Sequence, residues 1–376
     1  MSSVLGAKIM NFVEKGLTNI FIYGIIYVKG SVYRMYYDGT KLLSLKDLSG
    51  EQPEIYICTS NRNAGKTTFF SRMCVNQFLK RGEKFAILYR FNYELDECAD
   101  KFFKDIRTLF FKGYDMTSKR KASGIFHELF LNDKSCGYAI SLNSADQLKK
   151  YSHLFSDVKR IMFDEFQSET NHYCDNEVSK FISIHTSIAR GNGEQVRYVP
   201  VFMVGNPVTL LNPYYVDMDI CNRLTDQVKF LKGNGYVLEQ GFVESASVAQ
   251  KSSGFNRAFA RNQYVAYSAE NVYLNDNKTF IEKPEGFPKY SATLKYNGQL
   301  YAIKEYWEQG LIYCDDKADV TFPNKITVTT DDHNVNYVML KRNDIYLSQM
   351  RFFFERGCFR FKNLKCKEAV LKALAY

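Results

Sequence analysis

Ile55-Tyr56-Ile57-Cys58-Thr59, followed at once by Ser60-Asn61-Arg62-Asn63-Ala64-Gly65-Lys66-Thr67-Thr68, is the stretch on which the fold turns. Its first five residues are a short apolar run with β-branched and aromatic side chains, the pattern of a buried strand. From Lys66 to Leu79 the apolar residues recur at helical spacing. A polar loop ending in Gly-Lys-Thr joins the two. In that setting the loop's backbone N–H groups and the helix N-terminus form a nest for phosphates. The expected phosphate-binding residues are therefore Ser60, Asn61, Arg62, Asn63, Ala64, Gly65, Lys66, Thr67 and Thr68. Lys66 supplies a point charge, and the Thr67 hydroxyl ligates Mg2+ beside a nucleotide such as ATP. One position departs from G-x-x-x-x-G-K-[ST]. Ser60 stands where the first Gly is usual, which matters if that residue needs a positive φ. A chance Gly-Lys-Thr at a helix start is the plain alternative, and the preceding strand argues against it.

A second stretch, Ile161-Met162-Phe163-Asp164-Glu165-Phe166, is an apolar strand that ends in two carboxylates. Alone, such a pair reads as a solvated strand exit. It lies about a hundred residues beyond the phosphate loop, where Asp164 is expected to hold Mg2+ through its water shell and Glu165 to act as general base on a water. Tyr198–Val204 is another apolar run, leading into Gly205-Asn206-Pro207. Asn206 is placed to sense the terminal phosphate, although an Asn-Pro turn explains it equally by itself. Arg90, at the end of the strand Phe85–Arg90, either orients the nucleotide or pairs with an acid. Arg190 closes a helix, Asn176–Arg190, ahead of Gly191-Asn192-Gly193. Residue chemistry alone favours an Arg that neutralises the helix C-terminus over one that reaches a neighbouring subunit.

Working outward, strands at Ile55–Thr59, Phe85–Arg90, Tyr138–Leu142, Arg160–Phe163 and Tyr198–Val204 alternate with helical stretches. That alternation predicts an α/β domain with a mainly parallel sheet over residues 51–240. Residues 1–50 read as an N-terminal extension, with a helix at Val4–Glu14 and a hairpin of Ile20–Val28 and Ser31–Tyr37. Residues 241–265 read as a linker with weak helical spacing. Residues 266–376 read as an α+β domain. Its strands are expected at Val272–Leu274, Thr279–Ile281, Tyr290–Tyr296, Gln299–Glu305, Gly310–Asp315 and Lys325–Thr329, and its helices at Val335–Arg356 and Asn363–Ala375.

Composition bounds the function. The 376 residues are 45% hydrophobic and 24% charged, with a formal charge of +9, which describes a folded chain suited to a polyanionic partner. From Lys341 to Tyr376 nine Lys/Arg stand against three Asp/Glu, so much of the excess lies in the tail. Nine cysteines without a C-x-x-C pair argue against a disulfide framework or a zinc site and for reduced thiols in a cytosol. The most apolar N-terminal run, Ile20–Val28, is too short to span a bilayer, so no membrane association is expected.

The ordered set Ser60–Thr68, Phe163-Asp164-Glu165-Phe166, Asn206-Pro207 and Thr327-Val328-Thr329-Thr330-Asp331-Asp332 resembles the DNA-packaging ATPases of small phi-29-like podophages. Gly82-Glu83-Lys84-Phe85, Gly137-Tyr138-Ala139-Ile140 and Asn212-Pro213-Tyr214-Tyr215 resemble them in order and spacing too. The resemblance runs from about Ile55 to the C-terminus. It implies a P-loop ATPase of the additional-strand (ASCE) class, a small linker and an RNase H-like C-terminal domain. It also implies ATP and Mg2+ as cofactors, and a homo-oligomeric ring, a pentamer, docked on the capsid portal (connector) in the infected bacterial cytoplasm. Double-stranded DNA is the implied partner, with a packaging RNA between portal and ATPase. It makes Arg190 a trans-acting arginine finger, against the reading from residue chemistry, and Lys150 (or Lys149) a second trans-acting basic residue. An RNase H-type nuclease needs several acids around two metals. Ser291–Tyr296 lacks an Asp, and Asp315, Asp316, Asp331 and Asp332 sit at strand ends and loops, so the domain is expected to be nuclease-inactive. A helicase, or a terminase with an active nuclease, is the competing reading.

Overall fold

The computed structural model describes residues 25–28, 31–34, 36–191, 193–221, 223–224, 228–270, 272–274, 276, 280–341 and 343–375. The expected helix Val4–Glu14 and the start of the strand from Ile20 lie outside them. The chain forms two compact units, Met1–Asn275 and Asp276–Tyr376.

The first unit opens with a hairpin of β1 (Ile25–Val28) and β2 (Ser31–Arg34), then α1 (Thr40–Leu43), β3 (Ile55–Thr59), α2 (Lys66–Arg81) and β4 (Lys84–Tyr89). Helix α3 (Cys98–Phe110) leads to β5 (Met116–Lys121), β6 (Phe126–Leu131) and β7 (Lys134–Ser141), then α4 (Ala145–Leu148) and β8 (Val158–Asp164). After α5 (Glu177–Ala189) come β9 (Val201–Gly205), α6 (Pro213–Asp217), β10 (Phe230–Lys232) and β11 (Tyr236–Gln240). Three helices end the unit, α7 (Glu244–Ser252), α8 (Gly254–Ala258) and α9 (Gln263–Glu270).

Nine strands make one sheet in the order β10-β11-β3-β9-β8-β4-β7-β6-β5. The six from β11 to β7 are parallel to their neighbours, while β10, β6 and β5 pair antiparallel at the two edges. Strand β9 lies between the phosphate-loop strand β3 and the Asp-Glu strand β8, which is the additional-strand arrangement. The central strands are buried on both faces, so they read as continuous apolar runs rather than alternating ones. Ile57, Cys58, Ile161, Met162, Phe163, Met203 and Val204 are all buried. Helix α2 is seated by a ring stack in which Phe70 lies 5.4 Å from Phe202, and Phe202 5.4 Å from Tyr56. Full burial of one such ring contributes roughly 1.5–3 kcal/mol, which fixes the helix whose first turn holds Lys66. At the β4–β7 pairing, a Cβ on Gly137 would stand 2.2 Å from the Phe85 carbonyl oxygen, so this close approach requires glycine.

Several expectations need correction. Strands β5 and β6 and helix α3 go beyond the expected elements, and β7 starts at Lys134 rather than at the expected Tyr138. β5 carries Ser118-Lys119-Arg120-Lys121, a polar edge that hides the strand signal. The expected strand at Tyr198 begins at Val201, because Tyr198 and Val199 are spent on Pro53 and Glu54. Residues 36–50, expected as part of an appendage, are built into the first unit. Leu42 is wholly buried, Tyr37 N–H donates to the Ala64 carbonyl at 2.7 Å, and an Asp47 carboxylate oxygen accepts from Gly235 N–H at 2.9 Å. A segment this short has no core of its own and gains one only by docking. The weakly helical 244–263 stretch forms true helices, and α9, which spans the expected boundary at 265/266, lies inside the first unit.

The second unit is a six-stranded sheet with two helices. Its elements are β12 (Lys289–Tyr296), β13 (Gln299–Tyr306), β14 (Leu311–Asp315), β15 (Lys325–Thr327), β16 (Val338–Met339), α10 (Ile345–Glu355), β17 (Phe359–Phe361) and α11 (Leu364–Ala375). The order is β16-β15-β12-β13-β14-β17. Strands β12 to β14 are antiparallel and β15 and β16 extend the sheet in parallel, which is the RNase H-like plan, with β17 added at one edge. Leu294, Cys314, Val328, Phe361 and Val370 are fully buried in its core. The expected helix Val335–Arg356 starts only at Ile345. Asp344 caps it by accepting from Tyr346 N–H at 2.8 Å, and Val338–Met339 is a strand. Val272–Leu274 is not a strand, and Thr279 lies outside the described residues.

Candidate active site

Strand β3 delivers its last residue, Thr59, straight into the phosphate loop, and α2 leaves it. The chain turns at Gly65, whose φ of 88° is cheap only for glycine. Ser60, where a glycine was the usual choice, is not among the residues with positive φ, so serine carries no penalty there. Asn61 locks the loop. Its amide donates to the Val243 carbonyl and accepts from Val243 N–H, both at 3.0 Å. Ala64 is buried, Asn63 and Thr67 are exposed, and Thr68 lies half-buried in the first turn of α2.

The Lys66 ammonium donates to the Ser60 carbonyl and Oγ at 3.0 Å, to the Asn61 carbonyl at 3.1 Å and to Asn206 Oδ1 at 3.1 Å. Asn206 follows β9, so the additional strand is what brings it to Lys66. Burial lowers the Lys66 pKa to about 8, because four neutral acceptors replace bulk water around the charge. Beyond it, Thr67 Oγ1 donates to Asp164 Oδ1 at 3.2 Å, and the same oxygen accepts from Glu165 N–H at 3.0 Å. Burial, and then the neighbouring Glu165 charge, raise the Asp164 pKa to about 6. These two hard oxygens, 3.2 Å apart, suit an oxygen-preferring ion such as Mg2+, which Thr67 would ligate and Asp164 would hold through its water shell. Among the described residues no group of three His, Cys, Asp or Glu is placed to hold a metal, so an ion here rests on Thr67, Asp164 and non-protein oxygens.

Glu165 is exposed with a φ of 53°, a left-handed conformation that costs a non-glycine residue on the order of 1–3 kcal/mol. Its carbonyl is held from beneath by Arg90. The Arg90 guanidinium donates to the Glu165 carbonyl at 3.4 Å, to the Phe166 carbonyl at 2.8 Å, and to both oxygens of the buried Glu177 at 3.1 and 2.9 Å. Tyr214 Oη and Cys174 N–H also donate to Glu177, each at 2.8 Å. Of the two open readings of Arg90, the acid pair is the one observed, and its donors are committed away from the loop. Glu177 escaped the sequence reading because an acid in the first turn of a helix is ordinary, and only the fold buries it.

Arg62 donates to Glu169 at 3.0 Å and to the Tyr264 hydroxyl, and its N–H donates to the Ser268 carbonyl at 3.0 Å. Tyr267 Oη donates to the same Glu169 at 2.7 Å. Helix α9 is thereby tied to the phosphate loop. Nothing in the sequence marked Glu169, Tyr264 or Tyr267, which come together with Arg62 from two separate segments.

Arg190 is exposed and bonds elsewhere, to Ser152 Oγ at 2.6 Å and the Lys149 carbonyl at 3.4 Å. The structure therefore sets Arg190 beside Lys149 and Lys150, both exposed. The end of α5 is neutralised instead by Arg197, whose guanidinium donates to the Ile188 carbonyl at 2.5 Å and whose N–H donates to that of Ala189 at 2.7 Å.

In the second unit three of the candidate acids pair with three different lysines. Asp315 pairs with Lys304 at 2.7 Å, Asp332 with Lys295 at 3.6 Å, and Asp316 with Lys362. No helix among the described residues is long and apolar enough to cross a membrane.

Comparison with known proteins follows the same lines. Residues 33–374 match the family described as Podovirus DNA encapsidation protein (Gp16). The DNA packaging protein of Bacillus phage phi29 is 27% identical over 319 residues, covering 84% of this chain and 90% of that one. The DNA packaging protein of Bacillus phage PZA gives the same figures, 27% over 319 residues with 84% and 90% covered. Among solved structures, a chain of the bacteriophage Phi-29 viral genome packaging motor assembly superposes with a TM-score of 0.65 at 24% identity. That superposition covers 91% of this chain and 98% of that one, a likeness of fold.

Proposed function

The chain belongs to the podovirus DNA encapsidation protein family, and from that premise we propose that it is the ATPase of a motor that drives double-stranded viral DNA into a preformed capsid. The observation that carries the reading is one arrangement. Lys66 is held between loop carbonyls and Asn206, with the Thr67–Asp164 pair and Glu165 next in line.

In this reading ATP phosphates replace the Ser60 and Asn61 acceptors around the Lys66 ammonium, joined by N–H groups of residues 61–68. Thr67 and Asp164 hold Mg2+, which supplies charge neutralisation on the phosphates. Glu165 takes a proton from the attacking water, and Asn206 reports the terminal phosphate to Lys66. Arg190, with Lys150 or Lys149 next to it, acts on the ATP of a neighbouring subunit in a homo-oligomeric ring, a pentamer. The ring docks on the capsid portal, with a packaging RNA between them, in the infected host's cytoplasm. The basic tail of the second unit serves these nucleic-acid or portal contacts.

The test is ATP turnover by the full-length chain with and without duplex DNA. Turnover should rise with duplex, fall steeply with salt as phosphate contacts are screened, and vanish in Lys66→Ala. A chain that unwinds strands without packaging them would support the helicase alternative instead.

A further inference from the structure

Tyr36 is 58% exposed at the rim of the phosphate loop, and nothing in the hydrolytic arrangement uses it. A Cβ on Gly65 would lie 3.4 Å from Tyr36 Cδ1 and 3.5 Å from its Cβ, so the ring rests against the residue that opens α2. Its backbone is pinned by the next residue. Tyr37 N–H donates to the Ala64 carbonyl at 2.7 Å, and the buried Tyr37 hydroxyl donates to Glu239 at 2.7 Å. Tyr36 is thus positioned by the loop without being buried by it.

A second ring, Phe242, is 52% exposed, and its backbone neighbours are anchored to the same loop. Gly241 N–H donates to the Thr59 carbonyl at 2.7 Å, and Val243 N–H donates to Asn61 Oδ1 at 3.0 Å. Single exposed aromatic residues need no explanation. Two of them, each fixed through its backbone neighbours to one phosphate-binding loop, call for a flat apolar partner. A nucleoside triphosphate seated with its phosphates at the α2 N-terminus carries one such group, the base.

We propose that Tyr36 and Phe242 form the platform on which the base of the bound nucleotide stacks, and that the base is chosen by stacking rather than by its hydrogen-bonding edge. This rests on the nucleotide-site reading above. The Asn61 side-chain amide is committed to the Val243 backbone as donor and acceptor, so this loop side chain does not read the base. The site takes purine triphosphates with little preference between adenine and guanine, and pyrimidines less well for their smaller stacking face.

The experiment measures binding of ATP, GTP, CTP and inorganic tripolyphosphate to the full-length chain and to Tyr36→Leu, Tyr36→Trp and Phe242→Leu. Leucine keeps packing against Gly65 and removes the ring. Tyr36→Leu should weaken ATP and GTP alike by roughly tenfold, the scale of one lost base–aromatic stack. It should leave tripolyphosphate unchanged, and Tyr36→Trp should hold the wild-type affinity. Unaltered ATP affinity in both leucine variants overturns the platform while leaving the nucleotide site intact. Equal loss of ATP and tripolyphosphate also overturns it, since the effect then lies in the loop. A wild-type chain that binds neither ligand overturns the nucleotide-site reading and this proposal with it.

Discussion

The guanidinium of Arg90 donates to the carbonyl oxygen of Glu165 at 3.4 Å while its other edge is paired with the buried Glu177. A left-handed glutamate persists only where its surroundings over-determine it, and this pair is what does so. In the proposed mechanism, Arg90 therefore acts through Glu165 rather than on the nucleotide.

Glu177→Gln, which keeps the shape and loses the charge, should therefore lower kcat by about 10²-fold, the cost of a misplaced catalytic group, with KM for ATP nearly unchanged. Arg90→Ala is harsher, because stripping one partner from a buried pair costs about 3–5 kcal/mol of stability. Steady-state kinetics with thermal unfolding of both variants checks this. A rise in KM with normal kcat would return Arg90 to nucleotide binding.

Lys66→Ala and Glu165→Gln should fail differently. Lys66 meets phosphate in the ground state, so its loss should remove ATP affinity and turnover together. On the proposed reading Glu165 acts only on the attacking water, so its amide should bind ATP and trap it unhydrolysed. Equal loss of affinity in the two would show the roles to be misassigned.

The shifted groups predict a pH signature. Lys66, lowered to about 8 by burial, regains its proton when phosphates surround it, so ATP binding near pH 8 should take up protons. Calorimetry in buffers of different ionisation enthalpy reads that uptake. Asp164, raised to about 6 by burial and by Glu165, has the opposite sign. The folded chain holds a proton there that the unfolded chain has released, so the ligand-free protein loses stability as pH rises from about 4 to 6. Asp164→Asn should remove that slope, melt higher than wild type at pH 7, and fail to hydrolyse ATP.

Arg190→Ala should cost about 10³–10⁵ in turnover if the side chain acts as a finger, and only about 0.3–1 kcal/mol of stability if it serves the helix end. Arg197 already bonds the last carbonyls of α5, so the helix end does not depend on Arg190. Mixing Arg190→Ala with Glu165→Gln chains should restore partial activity, since some interfaces then join two intact halves. Mixed rings that stay inactive would rule out action in trans.

The second unit should bind nucleic acid and cut none, because Asp315, Asp316 and Asp332 each face a separate lysine. Duplex cleavage in Mn2+, lost on Asp315→Asn, would restore the nuclease reading.

What was legible in the sequence was local. Ile55–Thr68 announces a strand, a loop and a helix because backbone preference and apolar spacing act over a few residues, and the same holds for Ile161–Glu165. The polar strand β5 and the helices after Glu244 were misjudged because their apolar residues are few and their structure is held by neighbours distant in sequence.

Sequence alone thus determined the class of fold, the phosphate loop and the two carboxylates after β8, since each is written in consecutive residues. Only the tertiary structure decided which side chains meet them. Asn206 reaches Lys66 across 140 positions, Glu177 takes Arg90 across 87, and Arg190 comes to rest on Ser152 across 38. Such pairings follow from the order of strands in the sheet, and they depend on which polar groups lose their water on folding. Burial and strand order are properties of the packed chain, and no short stretch of residues carries them.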